Sequence, residues 1–340
     1  MTQPRREIVL NAFDMACVGH IQQGLWRHPR DRATDYTKLD YWTGMARTLE
    51  RGLFDGLFLA DVLGIYDVYG GSPDAALREA VQVPLLDPML LVPAMAAATQ
   101  HLGFGITCNL AYEAPYLFAR RVSTLDHLTG GRAGWNIVTG YLDSAARAMG
   151  LQHQMAHDDR YDLADEYMDL VYALWEGSWA GMRGRAARPW APMPTRRGCG
   201  RCITRARNTG WMPSIWPSPP PTHAAAVPGG GSDRGRQFAA RHAECVFVNG
   251  GAKPAVASLV ADLRARANPR PLKVLVGATL VIGRTEAEAR DKLEDYRRHA
   301  SVEERWRMPR PRWASTSPAT AWTNPSRPAP PRPSNPMSRR

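Results

Sequence analysis

The 340-residue chain contains no long uncharged apolar run, so the sequence predicts no membrane-spanning helix. Residues 1–10 also lack the apolar stretch of a secretory signal peptide. We therefore expect a soluble, cytoplasmic protein. Since 44% of its residues are hydrophobic, the chain is able to bury a core of barrel size.

Cysteine is scarce, with five residues in the whole chain. Cys199 and Cys202 form a CxxC pair, but no second pair or histidine follows at the spacing of a zinc site. A redox CxxC opens a helix after a strand, whereas this pair lies in a run rich in Arg and Pro. We therefore predict no metal site, and the sparse cysteines favour a reducing compartment.

Acidic residues are missing from two tracts, residues 180–228 and 305–340, each of which contains eight Arg and nine Pro. The net charge of +11 by itself would favour a nucleic-acid partner. Without those sixteen Arg, however, the rest of the chain has 27 basic and 32 acidic residues. The basicity is thus confined to the tracts, and we expect no nucleic-acid partner.

Apolar strands alternate with helix-like segments through the rest of the chain. The predicted strands are 8–13, 54–61, 102–109, 133–138, 244–248 and 272–278, and the predicted helices 41–52, 88–99, 115–128, 157–175, 254–267 and 285–299. This alternation is typical of a parallel sheet covered by helices. No GxGxxG follows the first strand, which argues against a dinucleotide-binding unit. Length and repetition favour an α/β fold of the (β/α)8 TIM-barrel type.

Polar side chains lie at or near the carboxyl ends of the predicted strands, where barrel enzymes place their chemistry. The central stretch of the chain, residues 130–140, puts Asn136 and Thr139 at the end of one strand, and Asp61 and Thr107 lie near the ends of two earlier ones. A polar residue at a strand end also commonly caps a helix or satisfies backbone groups. The position alone is therefore compatible with a role in the site and with a purely structural role.

Two further features point to a binding site beside these residues. His157 and Tyr161 are four residues apart and share a face if a helix starts there. Ser232 follows three glycines and precedes an apolar run. This order is typical of a phosphate-binding site at a helix N-terminus. The ordinary alternatives are a surface histidine and a simple glycine loop.

Seven segments of the chain match one family of enzymes, namely 10–14, 24–28, 54–61, 131–139, 157–161, 174–178 and 235–244. In these segments the chain resembles the flavin-dependent monooxygenases of the bacterial-luciferase superfamily, in the branch of nitrilotriacetate monooxygenase component A and dibenzothiophene-sulfone monooxygenase. The resemblance implies a luciferase-like barrel that binds FMN. The cofactor-binding residues that it implies are Asp61, Thr107, His157, Tyr161 and Ser232, with Ser232 near the phosphate.

The same resemblance implies the reaction and the partners. Asn136 and Thr139 would lie close to the flavin, and together with His157 they are the candidates for catalytic roles. Reduced FMN would come from a separate NAD(P)H:FMN reductase. One oxygen atom of O2 would enter a small organic substrate, and the other would leave as water. A homo-oligomer is also expected.

The two Arg/Pro tracts depart from the family, and we interpret them as frame-shifted translation. Rereading from the third base of each codon, residues 211–221 and 313–326 both yield segments similar to the family in one register. The expected division is 1–179 for the first part of the barrel, 180–228 for a frame-shifted tract, 229–304 for the second part and 305–340 for a frame-shifted tail. Native Pro/Arg-rich disorder is the alternative.

A frame-shifted chain would form an incomplete barrel, because residues 222–228 would replace the strand expected before Ser232. Two alternatives to an active monooxygenase therefore stay open. One is an inactive or poorly folding relic of such an enzyme, and the other is a deazaflavin-dependent oxidoreductase of the same superfamily.

Overall fold

Parallel strands alternate with helices throughout the part of the chain that the computed structural model describes, namely residues 8–21, 24–176, 232–249 and 251–300 and the backbone of 225–226. The strands are β1 (Asn11–Met15), β2 (Gly56–Ala60), β3 (Gly103–Asn109), β4 (Ala133–Val138), β5 (Ala225–Ala226), β6 (Cys245–Val248) and β7 (Lys273–Val276). Cys199, Cys202, the three glycines before Ser232 and nearly all of the two Arg/Pro tracts lie outside the described residues.

The helices of the described residues cover both predicted and unpredicted segments. They are α1 (Leu39–Arg51), α2 (Asp74–Arg78), α3 (Pro88–Ala97), α4 (Pro115–Thr129), α5 (Asp143–Ala148), α6 (His157–Trp175), α7 (Asp233–His242), α8 (Lys253–Ala267) and α9 (Glu286–His299). None of the described helices is long and apolar enough to span a lipid bilayer.

All pairs between the described strands are parallel. One sheet has the order β1-β2-β3-β4-β5, and β6 pairs with β7 in a second. Adjacent order with a helix between successive strands is the pattern of a barrel wall. The predicted α/β class with parallel sheets is confirmed.

The two faces of the five-stranded sheet differ in their burial. One face carries Leu59, Ile106 and Trp135, which are level in the register and at most 3% exposed beneath the helices. The other face carries Phe58, which is level with Gly105. Because side chains alternate along a strand, Thr107 and Asn136 belong to this second face. They lie two residues nearer the carboxyl ends of their strands than Gly105 and its register partner Gly134.

Local signals place the helix ends as the sequence predicts. The carboxylate of Asp87 accepts a hydrogen bond from the N–H of Met89 and caps α3, and Thr285 caps α9 through the N–H of Glu288. Helix α4 ends at Gly130, whose φ of 65° is left-handed. The central strand covers the predicted residues 133–138.

The expected gap before Ser232 needs correction. Ala225 and Ala226 pair in parallel with Gly134 and Trp135 of β4, so a strand lies beside β4 after all. It has two residues, whereas β1 to β4 have five to seven.

Candidate functional site

A hydrogen bond joins the polar residues of β3 and β4. Thr107 and Asn136 are register partners, and Nδ2 of Asn136 donates to Oγ1 of Thr107 at 2.8 Å. Both side chains are buried. The bond uses one donor of the Asn136 amide and leaves its second N–H and its carbonyl oxygen for a ligand.

Asp61 directly follows β2, at the same edge of the sheet. Its Oδ1 accepts a hydrogen bond from the N–H of Val62 at 2.9 Å. Burial raises the pKa of this carboxyl to about 6, with a smaller contribution from the charge of Asp87 and against the effect of the hydrogen bond from Val62. Asp61 is therefore a half-buried acid that is mainly ionised at neutral pH but titrates not far below it, and its strand β2 lies beside β3 in the sheet.

The hydroxyl of Tyr161 connects the start of α6 with two other segments. Burial raises the pKa of this tyrosine, and the nearby side chains of Ser232, before α7, and Thr139, after β4, act in the opposite direction. Three hydroxyl-bearing side chains from three segments thus lie close together beyond the carboxyl end of β4.

Helix α7 begins at this group of hydroxyls. Oγ of Ser232 accepts a hydrogen bond from the N–H of Gly235 at 3.0 Å and caps the helix. A Cβ at position 235 would lie 2.8 Å from Oη of Tyr161, so only glycine fits without a shift of its neighbours. The first turn of α7 therefore lies directly against the tyrosine hydroxyl.

Two further side chains cover the ring of Tyr161. The imidazole of His157 lies 5.2 Å from it, centroid to centroid, and the guanidinium of Arg234 lies 5.6 Å from its centre. Nδ1 of His157 contacts Oδ1 of Asp158 at 2.6 Å. About half of the His157 side chain is exposed, so it is accessible to a ligand.

Ion pairs hold α7 on α6 and so fix the helix start. Asp165 of α6 accepts from Arg234 at 2.6 Å and lies 2.7 Å from Nε2 of His242, whose side chain is 2% exposed. Arg241 reaches Asp169 at 3.0 Å. The partners stand about 70 positions apart in the sequence, so this positioning is a tertiary effect.

Aromatic side chains from β1, β2 and β6 form a patch, which we call the phenylalanine patch. The ring centroids of Phe13, Phe58 and Phe247 lie 5.1–5.8 Å apart, and His20 contacts Phe13 edge-on. Phe13 is 38% exposed although it is apolar. Burial lowers the pKa of His20 to about 4, so the imidazole is neutral.

A family model described as "Luciferase-like monooxygenase" matches residues 21–331. The chain belongs to the luciferase-like monooxygenase family. The match covers most of the chain and runs through the first Arg/Pro tract and into the second.

Curated relatives within this family carry out different oxygenations. A long-chain alkane monooxygenase of Geobacillus thermodenitrificans is 45% identical over 88% of this chain and 69% of its own. A dimethyl-sulfide monooxygenase of Hyphomicrobium sulfonivorans is 43% identical over 88% and 64%, and a dibenzothiophene-sulfone monooxygenase of Rhodococcus erythropolis is 35% identical over 86% and 66%. The predicted family resemblance is therefore confirmed.

A solved structure shows the same fold. The crystal structure of a long-chain alkane monooxygenase superposes with a TM-score of 0.79 at 43% identity, over 90% of this chain and 71% of that one. This chain spans about two thirds of the length of the curated relatives described above.

The structure groups the predicted site residues of this luciferase-like chain in three parts. Thr139, His157, Tyr161 and Ser232 form one group, and Thr107 and Asn136 form a second. Asp61, which follows β2, forms a hydrogen bond with neither group within the described residues. That the three parts bind one ligand stays a prediction.

Sequence reasoning missed the roles of Gly235 and Asp165. The glycine had a signal, since it follows Ser232 by the three residues that separate a cap from its N–H partner. Asp165 had none, because an acidic residue on a helix is usually solvated.

Proposed function

We propose that this chain is the oxygenase component of a two-component system, which uses reduced FMN to insert one oxygen atom of O2 into a small organic substrate. The single observation that carries the proposal is the start of α7, where the hydroxyls of Thr139, Tyr161 and Ser232 meet. Membership of a monooxygenase family supports the reaction class.

The donor set at this point fits a phosphate. Hydroxyl groups and the unpaired N–H groups of a helix N-terminus both favour an anion. Asp233, the only acid in the first turn of α7, lies 2.7 Å from Arg266 and 3.3 Å from Arg236, which compensate its charge. Ser232, Tyr161 and Thr139 would therefore hold the phosphate end of FMN.

The groups on the sheet would hold the ring end of the cofactor. Thr107 and Asn136 offer polar contacts, and Asp61 offers a carboxyl whose raised pKa lets it gain or release a proton near neutrality. The phenylalanine patch lies on the same face and would limit the access of water to the site. When bound, reduced FMN would supply the activation of O2, and the residues would orient cofactor and substrate.

His157, Asn136 and Thr139 are the candidates to touch the reacting atoms. His157 is half exposed beside Tyr161, and its imidazole is a suitable proton donor or acceptor. The proposal also includes transient delivery of FMN by a flavin reductase, a homo-oligomer and a cytoplasmic location, each of which is an expectation from the family resemblance.

Binding of reduced FMN under anaerobic conditions tests the proposal, with riboflavin as the comparison ligand that lacks the phosphate. Ser232→Ala should weaken FMN binding and leave riboflavin binding nearly unchanged. Thr285→Ala is the matched control, because it removes a similar cap from α9 at 3.2 Å from its N–H partner. Equal affinity for FMN and riboflavin in the original protein would contradict the phosphate assignment.

The same assay separates the alternatives. Tight binding of a reduced deazaflavin in preference to reduced FMN would favour the oxidoreductase. Absence of reduced-FMN binding by a folded protein would favour an inactive relic of such an enzyme. It would also support our proposal that residues 180–228 and 305–340 are frame-shifted and interrupt the two barrel parts, 1–179 and 229–304.

A further inference from the structure

Two histidines and one carboxylate that take no part in the proposed flavin site form a cluster. His28 follows the 3₁₀ turn Leu25–Arg27, and Asp295 and His299 stand one helical turn apart on α9. Each residue offers one ligand atom, and the three atoms lie within 4.8 Å of one another. His28 belongs to the segment 24–28, a family-like motif for which the proposed function has no use.

We propose that His28, Asp295 and His299 form a binding site for a divalent transition-metal ion of the zinc class, which joins α9 to the 3₁₀ turn. Two imidazole nitrogens and one carboxylate oxygen are a donor set that zinc accepts, with further positions left for water. The proposal is independent of the flavin site and departs from the expectation of no metal site.

The spacing of the donors suits such an ion. Ligand atoms bound to zinc at 2.0–2.1 Å in a tetrahedron are about 3.3 Å apart. Nε2 of His28 and Oδ2 of Asp295 are 2.9 Å apart, so they need to separate by only a few tenths of an ångström. The ring of His299 lies 4.7 Å from that of His28, centroid to centroid, and its partial exposure allows it to turn.

Hydrogen bonds set the protonation of both imidazoles. Nδ1 of His299 contacts the backbone oxygen of Asp295 at 3.0 Å, so it carries the proton and leaves Nε2 with a free lone pair. Nδ1 of His28 instead accepts from the N–H of Arg30 at 3.1 Å, so its proton is on Nε2. Metal binding at Nε2 therefore displaces that proton and costs the contact with Arg30, which limits the affinity.

The location gives the ion a structural role. No residue of α9 is buried, and the helix packs against the 3₁₀ turn. The turn is itself anchored, because Nε1 of Trp26 donates to the backbone oxygen of Glu79 at 3.2 Å. An ion held by His28 and by two residues of α9 would fasten an otherwise exposed helix to a fixed point.

Cobalt is the probe, because its visible absorption reports the ligand type. The tag-free, flavin-free full chain is titrated with Co2+, with His28→Gln, Asp295→Asn and His299→Gln as test variants. His153→Gln is the matched control, since His153 is an exposed histidine outside the cluster. Circular dichroism checks that each variant keeps its fold.

We expect one Co2+ per chain, bound without a sulfur-to-cobalt charge-transfer band. Each test variant should weaken the affinity more than about tenfold, the lower end of the loss caused by removing even an outer partner of a metal ligand. Zn2+ should raise the unfolding temperature of the original chain but not of the triple variant. Absence of binding at a large excess of Co2+, a sulfur band, or equal affinity in the test variants would overturn the proposal.

Discussion

Gly235 and Gly44 both lie inside helices but have different surroundings. A Cβ at Gly235 would lie 2.8 Å from Oη of Tyr161 and 3.0 Å from Oγ of Ser232, whereas at Gly44 it would meet nothing within 4 Å. Relief of the backbone entropy of glycine should make Gly44→Ala stabilising by about 0.5–1 kcal/mol. Crowding should make Gly235→Ala destabilising by about 1–3 kcal/mol.

Urea unfolding of both variants measures these two effects. Gly235→Ala should also weaken binding of reduced FMN, while Gly44→Ala should not. An equal gain in stability for the two variants would show that Tyr161 moves away without cost.

The raised pKa of the Asp61 carboxyl predicts that the stability of the protein depends on pH. Burial raises its pKa in the folded protein to about 6, above about 3.9 in the unfolded chain. A raised carboxyl pKa gives stability that is fully present below about pH 4 and is lost as the pH rises through 6. The loss is at most about 3 kcal/mol at pH 8.

Asp61→Asn keeps the acceptor for Val62 and removes this charge. We expect it to raise the free energy of unfolding at about pH 8 and to change it little at about pH 4. Burial also raises the pKa of Asp14 to about 6. Asp14 therefore retains part of the pH dependence of stability in the Asp61→Asn variant. Asp291→Asn, at an exposed position of α9, is the control, and an unchanged pH profile for Asp61→Asn would contradict the assignment.

At the scale of elements, Asp165 decides how α7 lies on α6. It contacts Arg234 at 2.6 Å and His242 at 2.7 Å, and these partners hold its pKa below the usual range against the effect of burial. Its share of the stability is thus present at neutral pH and is lost only as the pH falls through the lowered pKa. Asp165→Asn should cost about 1–2 kcal/mol at pH 7, since the pair is only half buried.

The same variant should weaken FMN binding, because the start of α7 loses its support. Asp169→Asn is the matched control on α6, since Asp169 is 55% exposed and contacts Arg241 alone among the described residues. Urea unfolding and flavin titration of both variants measure the difference. Equal effects would show that Asp165 has no special part in positioning α7.

Elements with strong local signals could be predicted from the sequence. The cap at Asp87, the glycine end of α4 and the apolar runs of the strands are properties of neighbouring residues, so they needed no tertiary information. Helices α2 and α5 were missed because they have only five and six residues, too few for a periodic pattern.

The candidate site could be predicted only in part. The residue types at the strand ends and the cap at Ser232 were visible in the sequence. The contact between Gly235 and the Tyr161 hydroxyl was not, because it depends on ion pairs between α6 and α7. The division of the site residues into separate groups likewise depends on how strands and loops are spaced in three dimensions.

At the scale of the whole molecule, the expected binding of reduced FMN depends on the two Arg/Pro tracts. Strand β5 has two residues, both of them alanine, so it offers less apolar surface than a full barrel strand. Each missing buried aliphatic or aromatic side chain forgoes about 1.5–3 kcal/mol, against a whole-domain stability of about 5–15 kcal/mol. We therefore predict that the chain in its present sequence binds reduced FMN weakly by comparison with a protein that has a full strand before Ser232.

A gene with both reading frames restored should give a soluble protein that oxygenates a substrate when a flavin reductase is present. Anaerobic titration of both proteins with reduced FMN measures the difference. Equal and tight binding by the two would show that the tracts are native sequence.

The contact between Phe13 and Phe247 also has a consequence for biosynthesis. The two rings stack at 5.4 Å, yet Phe13 leaves the ribosome about 230 residues before its partner. At 5–20 residues per second this delay is roughly 10–50 s. During that time the ring of Phe13 lacks the stacking partner that it has in the folded chain. The phenylalanine patch is therefore completed only late in translation.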